Sequence, residues 1–338
     1  MRVGILGAAH VHAEGYAAIL AGLEGVELVG FSDPDRSRGE AFAKRHGLPW
    51  YPSHEALLDQ GLDAAVVATE NALHLPAVEA AAARGVHLLV EKPIATRLED
   101  ARAIKRAVEA AGVLFMTAFP MRFSPALIEA RELLASGRLG AVRALVGINH
   151  SENPKRHRAW FADPELAGGG AVVDHSVHLA DLYRWLLGAE IERVYAEVSN
   201  PFDPASRVDT AGLLLLELSG GIPASIDASW SRPPNYPRWG HLKLEVVAER
   251  GTLVLDAFAG HLHHWRVDDG YQWVGYHPDP TAAMVRAFLN AVKKGTPPPV
   301  TFADGLAALK VVLAAYRAAR EGRPVDLSEL GEGPVDPA

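Results

Sequence analysis

Two residues in this chain have types and a spacing suited to proton chemistry: Asp174 and His178, four apart in the segment GGGAVVDHSVHLAD, residues 168–181. In a helix that spacing puts a carboxylate and an imidazole one turn apart on the same face, where both can act on one small molecule as an acid/base pair. Asp181 follows at the next turn with Trp185 on the same side, while Val172, Leu179, Tyr183 and Leu186 recur on roughly the opposite side. The pattern predicts a helix with an apolar back and a chemical front, entered through three glycines whose backbone can approach another group closely. A solvated face with a capping Asp is the competing reading. It accounts for neither the Trp on the polar side nor the glycine run.

Composition bounds what such a helix belongs to. The 338 residues suffice for two domains, and an apolar fraction of 49% with 22% charged residues is that of a soluble globular protein. A net charge of −8 and a pI near 6.0 argue against a nucleic-acid partner, which needs a basic face. The absence of cysteine excludes disulfides, thiolate nucleophiles and sulfur-ligated metals. The apolar N-terminal segment lacks a basic leader, and no apolar run reaches the length needed to span a bilayer. A cytoplasmic protein without membrane partners is the expectation.

The elements that would position the site begin at the first residues. Apolar runs at 3–6, 26–31, 64–68, 86–90 and 113–117 alternate with helical patterns at 13–23, 36–46, 73–84 and 98–111. Such alternation predicts parallel strands joined by right-handed crossovers, a doubly wound α/β domain with ligands outside the carboxyl ends of the strands. After the first strand, Gly7, Ala8, Ala9, His10 and Val11 occupy the place where a dinucleotide's pyrophosphate rests on backbone N–H groups. Of the three glycines of that fingerprint only Gly7 is present, with Ala9 at the second position and His12 at the third. Asp33 ends the second strand, about twenty residues past that loop, where a carboxylate can accept from a ribose diol; an Asp-Pro turn opening the next helix is the alternative. A carboxylate there favours NAD over NADP, with Arg36 and Arg38 close by in opposition. The strand at 86–90 ends in Glu91-Lys92-Pro93, at the mouth of the crevice, where an ammonium can stabilise charge developing on a substrate oxygen.

Taken in order, Thr69-Glu70-Asn71-Ala72-Leu73-His74, Glu91-Lys92-Pro93, Arg122-Phe123, Trp160, Gly168-Gly169-Gly170 and Asp174 with His178 resemble the Gfo/Idh/MocA family of sugar and cyclitol dehydrogenases. The likeness runs to Glu321-Gly322-Arg323-Pro324-Val325. It implies a Rossmann domain, residues 1–120, followed by an α+β domain with a large, mostly antiparallel sheet, residues 121–338, and NAD or NADP between them. It also implies that Lys92, Asp174 and His178 match the family's catalytic Lys, Asp and His. Thr69, Glu70, Asn71, His74, Glu91 and Lys92 then join Gly7 to Val11 and Asp33 as cofactor-binding positions. Glu70 departs from the family, standing where proline is usual, and so does His175, standing where a small or apolar residue is commoner.

Beyond residue 120 a helix at 125–136 gives way to alternating segments around 194–198, 226–230 and 242–246, half-buried strands of an antiparallel sheet. The resemblance implies a subunit contact on the sheet's other face, in a homodimer or homotetramer. Residues 153–160, with Lys155, Arg156, His157 and Arg158, form a basic loop that is either solvated or within reach of substrate. Residues 232–239, rich in Pro and aromatics, suit a pocket rim or a rigid turn. Helices at 281–294 and 303–321 read as packing.

The leading expectation is hydride transfer between NAD and a secondary alcohol of a sugar, cyclitol or related polyol. His178 would be the base, Lys92 would stabilise the alkoxide, and Asp174 would orient the neighbouring imidazole or relay its proton. Two alternatives stay open: an NAD-dependent glycosidase with transient oxidation and no net redox change, and a non-catalytic cofactor-binding regulator. His10, His12, His74, His175 and His178 also raise the question of a zinc site. The Lys, Asp and His set explains His178 without one, and no metal is assigned.

Overall fold

The computed structural model describes residues 1–266, 270–275 and 278–331. Six strands, β1 (Arg2–Leu6), β2 (Glu27–Ser32), β3 (Trp50–Tyr51), β4 (Ala64–Val67), β5 (His87–Val90) and β6 (Phe115–Thr117), form a parallel sheet in the order β3-β2-β1-β4-β5-β6. Successive residues of β4 and β5 are buried, so both faces of the sheet are covered, and that is why these strands read as unbroken apolar runs rather than alternating ones. The crossovers are α1 (Ala13–Ala21), α2 (Arg36–His46), α3 (His54–Leu58), α4 (His74–Ala82) and α5 (Leu98–Ala111). The strand order reverses between β1 and β4, opening a crevice at their carboxyl ends. β3 and α3 were not visible in the sequence pattern, because two and five residues are too few to show a period.

After α6 (Pro125–Ala135) comes the second sheet: β7 (Val142–Glu152), then, beyond the short α7 (Pro164–Ala167) and α8 (Ala171–Leu187), β8 (Ile191–Ser199), β9 (Ala211–Leu218), β10 (Ile222–Arg232), β11 (Gly240–Ala248) and β12 (Gly251–Asp256). β13 (His261–Arg266) and β14 (Gly270–Gly275) pair as a separate hairpin. α9 (Pro280–Lys294), α10 (Phe302–Glu321) and β15 (Val325–Asp326) complete the chain. The sheet order is β12-β11-β7-β10-β9-β8-β15, antiparallel throughout except for the parallel β7–β10 pair. One face packs on α8. Gly147 of β7 sits so close that a Cβ would fall 2.3 Å from the Tyr183 hydroxyl, which itself donates to the Ser225 carbonyl at 2.6 Å. α10 returns to the first sheet, where the Thr117 hydroxyl donates to the Thr301 carbonyl at 2.9 Å.

The helix expected to have a chemical front is α8, and it is buried on nearly every side. Its polar side divides in two. Asp174 and His178 reach a cavity, whereas Asp181 accepts from Arg122 at 2.8 and 2.5 Å, and Trp185 lies under the guanidinium of Arg131 at 4.8 Å. Asp181 and Trp185 are therefore structural.

The three glycines before α8 do allow close approach, but to the protein itself. A Cβ on Gly170 would stand 1.8 Å from the Asp209 carbonyl oxygen, and one on Gly169 (φ +144°) 2.1 Å from the Tyr316 hydroxyl. The buried Asp209 carboxylate accepts from the N–H groups of Gly170 (2.8 Å) and Val172 (2.7 Å) and from the Tyr316 hydroxyl (2.7 Å), so a residue distant in sequence caps α8 and meets its helix dipole. Asp209→Ala should lower the unfolding free energy by about 2–3 kcal/mol, through buried donors left without an acceptor. Urea unfolding of the two proteins measures it.

Candidate active site

β5 delivers Lys92 to the end of the crevice, and the first turn of α8 delivers Asp174. The Lys92 Nζ lies 2.7 Å from Asp174 Oδ1 and 3.0 Å from the Asp174 carbonyl oxygen, with only 4% of the lysine side chain exposed. The second carboxylate oxygen accepts from Trp230 Nε1 at 3.1 Å. Burial opposes the charge on Asp174, but the ammonium, His175 and these hydrogen bonds outweigh it and hold the carboxyl well below its usual range.

The partner of Asp174 is thus Lys92 and not His178. The imidazole nearest the carboxylate is His175, whose Nε2 lies 3.7 Å from Asp174 Oδ2 and 2.8 Å from Ser151 Oγ. Because that hydroxyl donates to the Glu152 carbonyl at 2.7 Å, it accepts from His175 Nε2, leaving the His175 lone pair on Nδ1. His178 stands edge-on to Phe119, ring centroids 6.0 Å apart, and its buried Nδ1 has no hydrogen-bond partner among the described residues. Burial first, and then the positive charge of Lys92, push its pKa well below the ordinary histidine range, so the ring is neutral.

Lys92, Asp174, His175 and His178 line one cavity of about 510 Å³. His10 and His12 close it on the nucleotide side, and Asn149, Arg238, Trp239 and His241 on the side of the second sheet. The loop at 232–239 thus forms a pocket rim. His241 was not singled out in the sequence; Arg232 donates to its Nδ1 at 2.7 Å, and a strand residue just after a Pro-rich turn carries no local mark of such a role. Trp230 fell on the inward side of its predicted strand, but nothing local named Asp174 as its partner. The start of α9, residues 279–281, also reaches the cavity although that helix read as packing.

On the nucleotide side the ends of β1, β2, β4 and β5 bring Gly7 to Val11, Asp33, Thr69 to Asn71 and Glu91 to the same edge of the parallel sheet, whereas His74 does not reach it. Gly7 has φ +87°, and a Cβ there would lie 2.8 Å from the backbone of Thr69. Asp33 accepts from the N–H groups of Ala8 and Asp35, each at 2.9 Å, and from Arg38 at 2.7 and 2.9 Å. The cap of α2 is Asp35, so Asp33 does not open that helix. Glu70, the departure from proline, lies 3.2 Å from Arg38. The N–H groups of Ala9 and Val11 have no acceptor among the described residues, and Asn71 Oδ1 is buried without a partner while its Nδ2 donates to the Ala167 carbonyl. These unengaged groups around a glycine cradle fit a dinucleotide. His74 is fully enclosed, its Nδ1 3.4 Å from the Ile94 carbonyl, so it supports the turn after Lys92 from beneath.

The basic loop after β7 divides as well. Lys155 pairs with Asp203 at 3.3 Å and Arg156 lies 3.8 Å from Glu152, whereas Arg158 and Trp160 cross to the first domain's loop and donate to the Ala9 carbonyl at 3.1 and 3.0 Å.

Residues 1–119 match the model of an oxidoreductase family with an NAD-binding Rossmann fold, and residues 127–254 match the GFO/IDH/MocA C-terminal domain. The chain belongs to the Gfo/Idh/MocA oxidoreductase family. It is 33% identical to D-xylose 1-dehydrogenase (NADP(+)) 2 of Haloferax volcanii, across 97% of this chain and 100% of that one. It is 29% identical to the NAD(+)-dependent scyllo-inositol 2-dehydrogenase of Bacillus subtilis, across 91% of each. The crystal structure of GenD2 from gentamicin A biosynthesis, in complex with NAD, superposes with a TM-score of 0.87 at 27% identity, covering 96% of both chains. Family membership and these unengaged groups agree: the first domain is an NAD-binding Rossmann fold.

Burial lowers the pKa values of His74 and His175 to about 4. The unfolded chain, with histidines near 6.5, takes up their protons first, so the stability they leave intact above pH 6.5 is lost as pH falls through the window down to about 4. Each should cost about 2 kcal/mol by pH 5. Unfolding free energies measured from pH 7 to 5 should fall steeply, and less so for His74→Gln.

Proposed function

We propose that this Gfo/Idh/MocA protein is an NAD-dependent dehydrogenase that oxidises a secondary alcohol of a sugar, cyclitol or related polyol, with Lys92, Asp174 and His178 as its catalytic residues. The observation that carries this is the 2.7 Å Lys92–Asp174 contact beside a neutral His178, in a cavity that continues to the loop after β1. When bound, the nicotinamide supplies the hydride acceptor. His178, held uncharged by burial, takes the hydroxyl proton. Lys92 donates to the oxygen on which negative charge develops. Asp174 fixes the ammonium from one side and, through Trp230, is itself fixed. The dehydrogenase relatives, acting on xylose and scyllo-inositol, support a polyhydroxylated substrate. Asp33, bridging two backbone N–H groups at the end of β2, supports NAD over NADP.

NADH formation should be seen with NAD and a panel of sugars and cyclitols. Lys92→Ala and His178→Ala should each lower kcat by about 10²–10⁴-fold while NAD still binds. Equal oxidation by the Lys92→Ala protein would remove this mechanism. Turnover without NADH release would point instead to transient oxidation, and unchanged behaviour of both variants in every assay but binding to a regulator.

The residues up to about 120 and those beyond it are assigned to cofactor and substrate, respectively, and the outer face of the second sheet to a second copy of the chain. That face leaves Val146, Leu213, Leu215, Val247 and Val254 exposed on strands β7, β9, β11 and β12, more apolar surface than a solvated sheet presents. Leu213→Glu with Leu215→Lys should halve the mass found by light scattering and leave the fold intact. A cytoplasmic location is part of the same reading. No helix of the described residues is long and apolar enough to cross a membrane.

A further inference from the structure

The five histidines that raised the question of a metal are separated by the fold. His74 lies under the turn after β5, His175 bonds Ser151, and His178 faces the cavity near Lys92. His10 and His12 come together, and a third group that the sequence did not associate with them joins them: Glu91, from the end of β5.

We propose that His10, His12 and Glu91 form a site for one divalent ion of the zinc class, at the nucleotide edge of the cavity and separate from the Lys92, Asp174 and His178 set. One ligand atom from each of the three residues lies within 4.8 Å of the others. His12 Nδ1 is 2.9 Å from Glu91 Oε1, and His10 Nδ1 is 3.9 Å from the same oxygen. Ligands about 2.1 Å from a tetrahedral ion stand roughly 3.4 Å apart, a separation that the two distances straddle, and the remaining pair lies within 4.8 Å.

Binding an ion would replace hydrogen bonds the three side chains now make: His12 Nδ1 donates to Glu91 Oε1 at 2.9 Å and gives up that proton when it becomes a ligand. The His12 N–H donates to His10 Nδ1 at 3.2 Å, so the His10 ring proton sits on Nε2, which has no partner among the described residues, and the Nδ1 lone pair becomes free for an ion when that contact opens. The His10 ring is fixed from behind by Phe161 and Trp160, with centroids 5.5 and 6.0 Å away. Glu91 is held by the Tyr16 hydroxyl at 2.5 Å and by the Lys92 N–H at 3.1 Å, the outer-shell partners that orient a ligating carboxylate. His12, with 40% of its side chain exposed, opens the set to the cavity, giving a way in and a free fourth position for water or a ligand oxygen. Two nitrogens and one oxygen suit zinc or cobalt rather than magnesium or calcium, which take oxygen ligands. The site also accounts for a histidine at position 12, where the dinucleotide fingerprint has glycine.

The purified full chain, stripped with a chelator and dialysed, is titrated with Zn²⁺ and, for a visible spectrum, with Co²⁺, each with and without NAD. Wild type should bind one equivalent, with a four-coordinate Co²⁺ absorption in at least one of the two conditions. His12→Gly and Glu91→Gln should each weaken binding more than about 100-fold, beyond the loss expected from an outer-shell partner, while the exposed His157→Gln is unchanged. No stoichiometric binding in either condition, or a Co²⁺ spectrum that survives His12→Gly, overturns the site and leaves an internal hydrogen-bonded cluster. Should a variant fail to fold, the wild-type titration still decides, because a chain that takes up no ion has no such site.

Discussion

The contact between Lys92 and Asp174 is the constraint around which the rest is arranged. It joins the end of a strand in the parallel sheet to the first turn of a helix on the second sheet, two groups 82 residues apart in the chain. Taking both charges out of water is costly, and removing one partner of such a pair typically costs about 3–5 kcal/mol because the other is left buried and uncompensated. The cost is met by geometry: the ammonium has two acceptors on Asp174, and the carboxylate has the Trp230 indole on its other oxygen. A pair held at these points is rigid, and rigidity is what a hydride-transfer site asks of the groups around the reacting oxygen.

That geometry depends on where α8 begins. Gly169 and Gly170 bring its N-terminus against Tyr316 and Asp209 with no room for a methyl group, and the Asp209 carboxylate replaces the water that would otherwise solvate the first N–H groups. Further along the helix, Arg122 is shared between Asp181 and Asp304, at 2.5 and 2.9 Å, which ties α8 to the start of α10. The first turns of α8 are therefore anchored at both ends by buried charge, and His178 lies between the anchors, its Nδ1 without a hydrogen-bond partner among the described residues. An imidazole in that setting stays neutral, the state a base needs.

The nucleotide side is held by the second domain as much as by its own sheet. The Ala9 carbonyl, at the second position of the shortened glycine pattern, accepts from both Arg158 and Trp160. Asp33, Arg38 and Glu70 form a charge network at the other end of the crevice. Glu70 in place of proline makes sense there, since it gives Arg38 a second carboxylate.

Much of the fold is legible in the residues. The alternation of apolar runs and helical patterns determines a doubly wound sheet, and α2 and α5 follow their sequence periods end to end because a glycine closes each and Asp35 caps the first. The four-residue spacing of Asp174 and His178 determines that they share a face, and the ordered motifs determine the family. Periodicity, however, describes only a residue's own element. Which carboxylate Lys92 meets, why Asp181 and Trp185 turn away from the cavity, what the glycines approach and which two of five histidines find Glu91 are all contacts between elements distant in sequence. They were decided by tertiary packing, because burial makes each polar group seek whatever partner the fold brings within about 3 Å, and no local pattern encodes that choice.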